Sequence, residues 1–137
     1  MQLTTKGRYA VTAMLDLASN ESTRPVTLDM ISQRQNISLS YLEQLFAKLR
    51  KASLVRSVRG PGGGYLLSVN AVDVTLTQII EAVDENIDLR RCHGSKDCLR
   101  GKQCLSHHLW CEVSDQIRGF LSTRNLQQVI DDYKINQ

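Results

Sequence analysis

Apolar residues recur along this chain at helical spacing in six stretches, interrupted once by a glycine run between two short β-type segments. From about Thr5 to Ser19, Tyr9, Ala10, Ala13, Met14 and Leu17 share one helical face. Thr27 is a candidate N-cap for a short helix that runs through Leu28, Met30 and Ile31 to Arg34, where Gln35-Asn36 breaks the pattern. Ser40-Tyr41-Leu42-Glu43 fits a capping box, and Leu42, Leu45, Phe46 and Leu49 follow at i, i+3, i+4, i+7 as a buried stripe. The opposite face then carries Glu43, Gln44, Lys48 and, further round, Arg50 and Lys51. Thr75-Leu76-Thr77-Gln78 marks another start, with Leu76, Ile79, Ile80 and Val83 as its stripe. A longer helix from about Cys104 to Leu121 presents Trp110, Val113, Ile117 and Phe120 at the spacing of a short coiled-coil seam. That seam predicts a dimer interface, the alternative being core within one chain. Asn125 opens the last helix, with Leu126, Val129, Ile130 and Tyr133 on one side.

Leu54 to Arg59 reads as a strand, Gly60-Pro61-Gly62-Gly63-Gly64 as a turn, and Tyr65 to Ser68 as the returning strand. Two short helices followed by a glycine-tipped hairpin predict a mainly α fold with a small β-hairpin wing, an α+β winged helix-turn-helix. The expected division is a DNA-binding region over 1–83, with the helix-turn-helix at about 28–51 and the wing at about 54–68. A loop over 84–107 and a dimerisation and C-terminal segment over 104–137 complete one domain. Glycines at the tip let backbone N–H groups approach phosphates, and Arg59 at the shoulder suits a narrow minor groove. A nucleotide-binding loop is disfavoured, because no helix follows at once and the Lys-Ser/Thr ending is missing.

Charge sharpens this division. The 137 residues carry a net charge of only +3. Residues 1–70, however, hold nine Lys/Arg against four acids, while the remainder holds eight against ten. The N-terminal half therefore faces a polyanion, and Lys6 and Arg8 at the start of the first helix invite an anion there. No apolar run approaches the ~18 residues of a membrane span, so a cytoplasmic protein without membrane association is expected.

All four cysteines, Cys92, Cys98, Cys104 and Cys111, fall within or beside the stretch from Asp84 to Gln103 that has no periodicity. A loop of that length inside a compact domain needs an ordering agent other than packing. A metal or redox site fits better than a disulfide framework. Cys92-x5-Cys98-x5-Cys104-x2-His107 offers three thiolates and an imidazole, with Cys104 and His107 expected to project from one face at the start of a helix. Zinc sites favour shorter Cys spacings, and a 2Fe-2S cluster suits the wider loops. Cys111 competes as fourth ligand with a reading as a small buried hydrophobe, and His93 and His108 read as solvated or structural. A zinc or redox Cys/His protein is the alternative of another class, but no second acid/base constellation accompanies the cysteines.

Leu3 to Asp16, Ile37 to Phe46, Ser57 to Leu67 and Ala82 to Glu85 leading to Arg91-Cys92 are the stretches in which the sequence strongly resembles the Rrf-type family of winged-helix transcription regulators. The resemblance covers nearly the whole chain. It implies a homodimer on double-stranded promoter DNA, with one 2Fe-2S cluster per subunit held by Cys92, Cys98, Cys104 and His107 and delivered by the cluster assembly machinery. It implies repression of the assembly genes by the loaded form; a nitric-oxide or redox sensor of the same family is the alternative. On this resemblance the DNA-facing set is Lys6, Tyr9, Ser38, Ser40, Tyr41, Glu43, Gln44, Lys48, Arg50, Arg59 and Gly60, with Glu43 weakening binding of the apo protein to one class of site. The capping box at Ser40 would give the Glu43 carboxylate a second home on its own helix. A shorter C-terminal end and the additional Cys111 depart from the family pattern, and the latter leaves the fourth ligand open.

Overall fold

The structure, a computed structural model, describes residues 5–21, 24–85 and 101–137. Helix α1 (Thr5–Asn20) leads, and α2 (Leu28–Gln35) begins where the Thr27 hydroxyl accepts the Met30 amide at 3.2 Å. Asn36 closes α2 in the left-handed region at φ 55°, the conformation that Asn tolerates better than most residues. Helix α3 (Leu39–Lys51) buries Leu42, Leu45, Phe46 and Leu49, the stripe its periodicity predicts.

The start of α3 differs from the expected capping box. Ser38, not Ser40, is the N-cap: its backbone is extended and its hydroxyl accepts the Tyr41 amide at 3.2 Å. Ile37 before the cap and Leu42 four residues into the helix are both buried, the two positions of a hydrophobic staple. Burial of Ile37 therefore sets the start two residues early, and Ser40 becomes an ordinary exposed helical residue. Reciprocal capping boxes form instead at Thr75 with Gln78 and at Asn125 with Gln128.

Strands β1 (Val55–Val58) and β2 (Gly64–Leu67) pair antiparallel with Val55 opposite Leu67. Val26 adds a bridge to Tyr65, and the Glu21 carboxylate accepts the Leu67 amide at 2.6 Å, so the hairpin is tied to the segment after α1. A 3-10 turn (Ala71–Asp73) leads into α4 (Leu76–Ala82). Beyond the segment from 86 to 100 come α5 (His107–Ser122) and α6 (Leu126–Ile135). The Leu76 and Leu126 amides bond across to Arg124 and Val74, pinning the start of α4 to that of α6.

One core unites these elements: Ala10, Met14 and Leu17 of α1, Ile31 of α2, the α3 stripe, Ile79 of α4 and Leu126 of α6 are all buried. At its edge Asp16, its side chain almost wholly buried, takes a two-pronged bond from Arg34 at 2.7 and 3.0 Å and a third from Gln35 at 2.8 Å. That network fixes the angle between α1 and α2 and satisfies a carboxylate that burial alone would penalise. The hydrogen bond with Asp16 raises the pKa of Arg34 above its ordinary value.

Candidate nucleic-acid interface and metal-donor cluster

Packing leaves one stripe of α3 exposed. Ser40, Glu43, Gln44, Ala47 and Lys51 lie along it, with Arg50 exposed alongside. Ser38 stands exposed at the head of the helix, and Tyr41 is half-buried because its ring meets Tyr9 of α1 edge-on at 5.8 Å. Tyr9 and Tyr41 thus bring the first turns of α1 and α3 together. On the other flank Phe46 packs against Tyr65 of β2 at 4.9 Å, which sets the wing relative to the reading face.

The wing tip turns through a Gly63-to-Gly60 bond at 2.9 Å, with Arg59 and Gly60 both exposed. Gly64 has φ 152°, and a Cβ there would stand 2.6 Å from the Val26 carbonyl oxygen; bare backbone at that point lets Val26 close onto the hairpin.

Lys48 is held in a way the sequence does not show. Its ammonium lies 2.9 Å from the carboxylate of Asp84, an exposed residue in the left-handed conformation (φ 63°) just past α4. The hydrogen bond from Lys48 lowers the Asp84 pKa, and the charges of Lys48, Lys6 and Lys51 pull the same way. Lys48 is raised, first by that hydrogen bond. An acid therefore sits among three lysines on the flank of α3, where a phosphate would otherwise be drawn.

The candidate metal donors among the described residues fall at the head of α5. His107 is its first residue and is buried at 4% exposure, while Cys104 lies in the turn before it, where its carbonyl accepts the His107 amide at 3.2 Å. Cys104 thus approaches from the turn and not from the helical face that its spacing predicts. Cys111, one helical turn on, is half-buried, with its sulfur 3.4 Å from Nε2 of His107. The donor-facing side of α5 continues as Ser114, which is buried, so Cys111 is a polar neighbour of the imidazole and not part of an apolar core. His108 points away, exposed, with the Gln103 amide 2.7 Å from its Nε2. Cys92, Cys98 and His93 lie outside the described residues. The Cys111 sulfur beside the buried His107 imidazole is a donor pair suited to iron or zinc, while among the described residues no three Cys, His, Asp or Glu side chains converge on one point. Together with the cysteines outside those residues, the donor types fit a cluster of mixed Cys and His ligands.

The outer side of α5 is apolar and uncovered: Leu109 is 52% and Phe120 56% exposed, Trp110 is exposed, and Val113 and Ile117 are half-buried. Trp110 is fixed by its indole N–H on the Ser106 hydroxyl at 2.9 Å.

A reading helix beside a glycine-tipped wing defines a winged-helix transcription regulator. The chain belongs to the Rrf2 family: the family model, described as an iron-dependent transcriptional regulator, matches residues 3–132. It is a transcription regulator and not an enzyme. The chain is 54% identical over 135 residues to the HTH-type transcriptional regulator IscR of Photorhabdus laumondii, covering 98% of this chain and 82% of that one. It is 58% identical over 130 residues to a regulator of Azotobacter vinelandii designated ORF2, covering 95% and 79%. Among solved structures, IscR of T. potens superposes with a TM-score of 0.81 at 37% identity, covering 100% of this chain and 91% of that one. CymR, the global cysteine regulator of B. subtilis, superposes at 0.82 with 32% identity, covering 96% and 97%. Among the described residues no helix is long and apolar enough to cross a membrane.

Proposed function

We infer that this chain is a cytoplasmic, homodimeric regulator that binds double-stranded promoter DNA and reports the supply of iron–sulfur clusters. Residues 1–83 form the reading head, 84–107 the cluster loop, and 104–137 the dimerisation and C-terminal segment. Cys92, Cys98, Cys104 and His107 hold one 2Fe-2S cluster per subunit, supplied by the assembly machinery, and occupancy selects the promoter sites bound. The loaded form represses the assembly genes. When bound, the cluster would supply an inorganic cross-link between its ligands, and imidazole ligation favours a higher potential than thiolate alone.

The observation that carries this reading is the layout of the helices. Helix α5 with its donors packs on α4, α4 packs on α3, and Asp84 at the end of α4 grips Lys48 of α3. A change in the loop between α4 and α5 therefore acts on an element already fastened to the reading helix. Ser40, Glu43, Gln44 and Arg50 meet base edges and phosphates, Ser38, Tyr41, Lys6 and Tyr9 flank them, and Arg59 with Gly60 enters the minor groove. Trp110, Val113, Ile117 and Phe120 join the two subunits.

Protein purified without oxygen should be coloured and carry about two irons and two acid-labile sulfides per chain. Replacement of Cys92 or Cys98 by Ala should empty it. A colourless protein carrying zinc instead would overturn the reading.

A further inference from the structure

A 2Fe-2S cluster takes four protein ligands, two on each iron, whereas this chain supplies four cysteines and the buried His107. One donor is in excess, and the geometry at the head of α5 shows where it stands. Two donors bound tetrahedrally to one metal, sulfur at about 2.3 Å and imidazole nitrogen at about 2.1 Å, lie roughly 3.6 Å apart. Cys111 Sγ and His107 Nε2 are 3.4 Å apart. They lie one turn apart on the same helix, so both can reach one ion without a change in the backbone of α5. His108, the other imidazole among the described residues, has its Nε2 2.7 Å from the Gln103 amide and stands edge-on to the His107 ring at 5.7 Å.

We propose that Cys111 is a reserve ligand to the iron that His107 holds, replacing the imidazole when it dissociates. The inference rests on the cluster assignment above and adds to it a fifth donor. In the exchange the Fe–N bond breaks and an Fe–S bond forms, while the thiol proton of Cys111 passes to Nε2 of the departing imidazole. Iron keeps its oxidation state, so no oxidant or reductant takes part. The site therefore has two coordination states, three thiolates with one imidazole or four thiolates, the second of lower potential because imidazole is replaced by a charged ligand.

The test uses full-length wild type, C111A, H107A and H107A/C111A, each prepared without oxygen and compared by iron and sulfide content, visible absorption and electron paramagnetic resonance of the reduced state. H107A should retain iron and sulfide close to the wild-type content, with absorption and g-values shifted to those of all-thiolate ligation. The double variant should be empty while keeping the helical circular dichroism of H107A. Wild type and C111A are then challenged with an iron chelator, which requires no loss of the buried imidazole. C111A should lose iron several-fold faster, because a released imidazole finds no substitute. Equal iron contents in H107A and H107A/C111A, or equal release rates in wild type and C111A, would overturn the reserve-ligand role. An iron-free wild type would instead overturn the cluster assignment itself, so the two failures are told apart.

Discussion

At the scale of single residues, two serines separated by one position have unequal roles. Ser38 closes the open end of α3 through the Tyr41 amide, and Ser40 lies within the helix. Ser38→Ala should lower unfolding free energy by about 1 kcal/mol, whereas Ser40→Ala should stay within roughly 0.5 kcal/mol, both read by urea denaturation. Equal losses would place the cap elsewhere. The wing glycines differ in the same way. A methyl at Gly62 meets open space, and its positive φ alone costs about 1–2 kcal/mol, while one at Gly64 also strikes the Val26 carbonyl. Gly64→Ala should therefore destabilise more than Gly62→Ala and loosen the Val26–Tyr65 bridge, seen as faster amide exchange at Tyr65. The motif Ser-x-x-Glu alone mislocates the cap, because burial of Ile37 decides the start and the motif carries no burial. With Ser40 not a cap, the second home imagined for the Glu43 carboxylate is missing, and Glu43 stands on the exposed stripe.

Among elements, the Lys48–Asp84 contact joins α3 to the end of α4 and keeps one carboxylate among three basic side chains. Because the folded-state pKa of Asp84 lies below its ordinary value, the contact's contribution is complete above the usual carboxylate range. It fades as pH falls through the lowered value. The Asp84 carboxyl carbon, followed by NMR, should titrate below the ordinary Asp midpoint, and Lys48→Ala should return it upward. Asp84→Asn leaves Lys6, Lys48 and Lys51 uncompensated, so DNA affinity should rise and fall more steeply with salt. An unchanged salt slope would mean that these lysines do not meet phosphate. Helical periodicity made α1 to α6 legible to within a few residues, since α1 to α4 and α6 bury apolar positions in one shared core and α5 carries its apolar stripe on an exposed side. The i, i+4 spacing made the closeness of His107 and Cys111 legible as well. The Asp84 contact was not, because it joins residues 36 apart in sequence and depends on a left-handed turn at a non-glycine residue. Cys104 fell outside the helix for a comparable reason: α5 begins at His107 itself, so the spacing of three spans a turn.

For the molecule as a whole, the proposed dimer places a second copy of the chain on the exposed apolar side of α5, which carries Leu109, Trp110 and Phe120. Phe120→Asp should shift the protein from dimer to monomer in analytical ultracentrifugation and weaken binding to two-fold operators far more than to half-sites. A dimer that persists would move the interface to another face. Within one subunit α4 lies between the candidate donors on α5 and the reading stripe of α3, so the central claim is that the loop between α4 and α5 governs the reading helix. DNase footprinting of one promoter set, with anaerobically loaded protein and with the same protein stripped of iron, tests it most directly. Loaded protein should protect sites that the stripped form leaves open, with some sites bound by both. Identical footprints at equal dimer concentration would contradict the account.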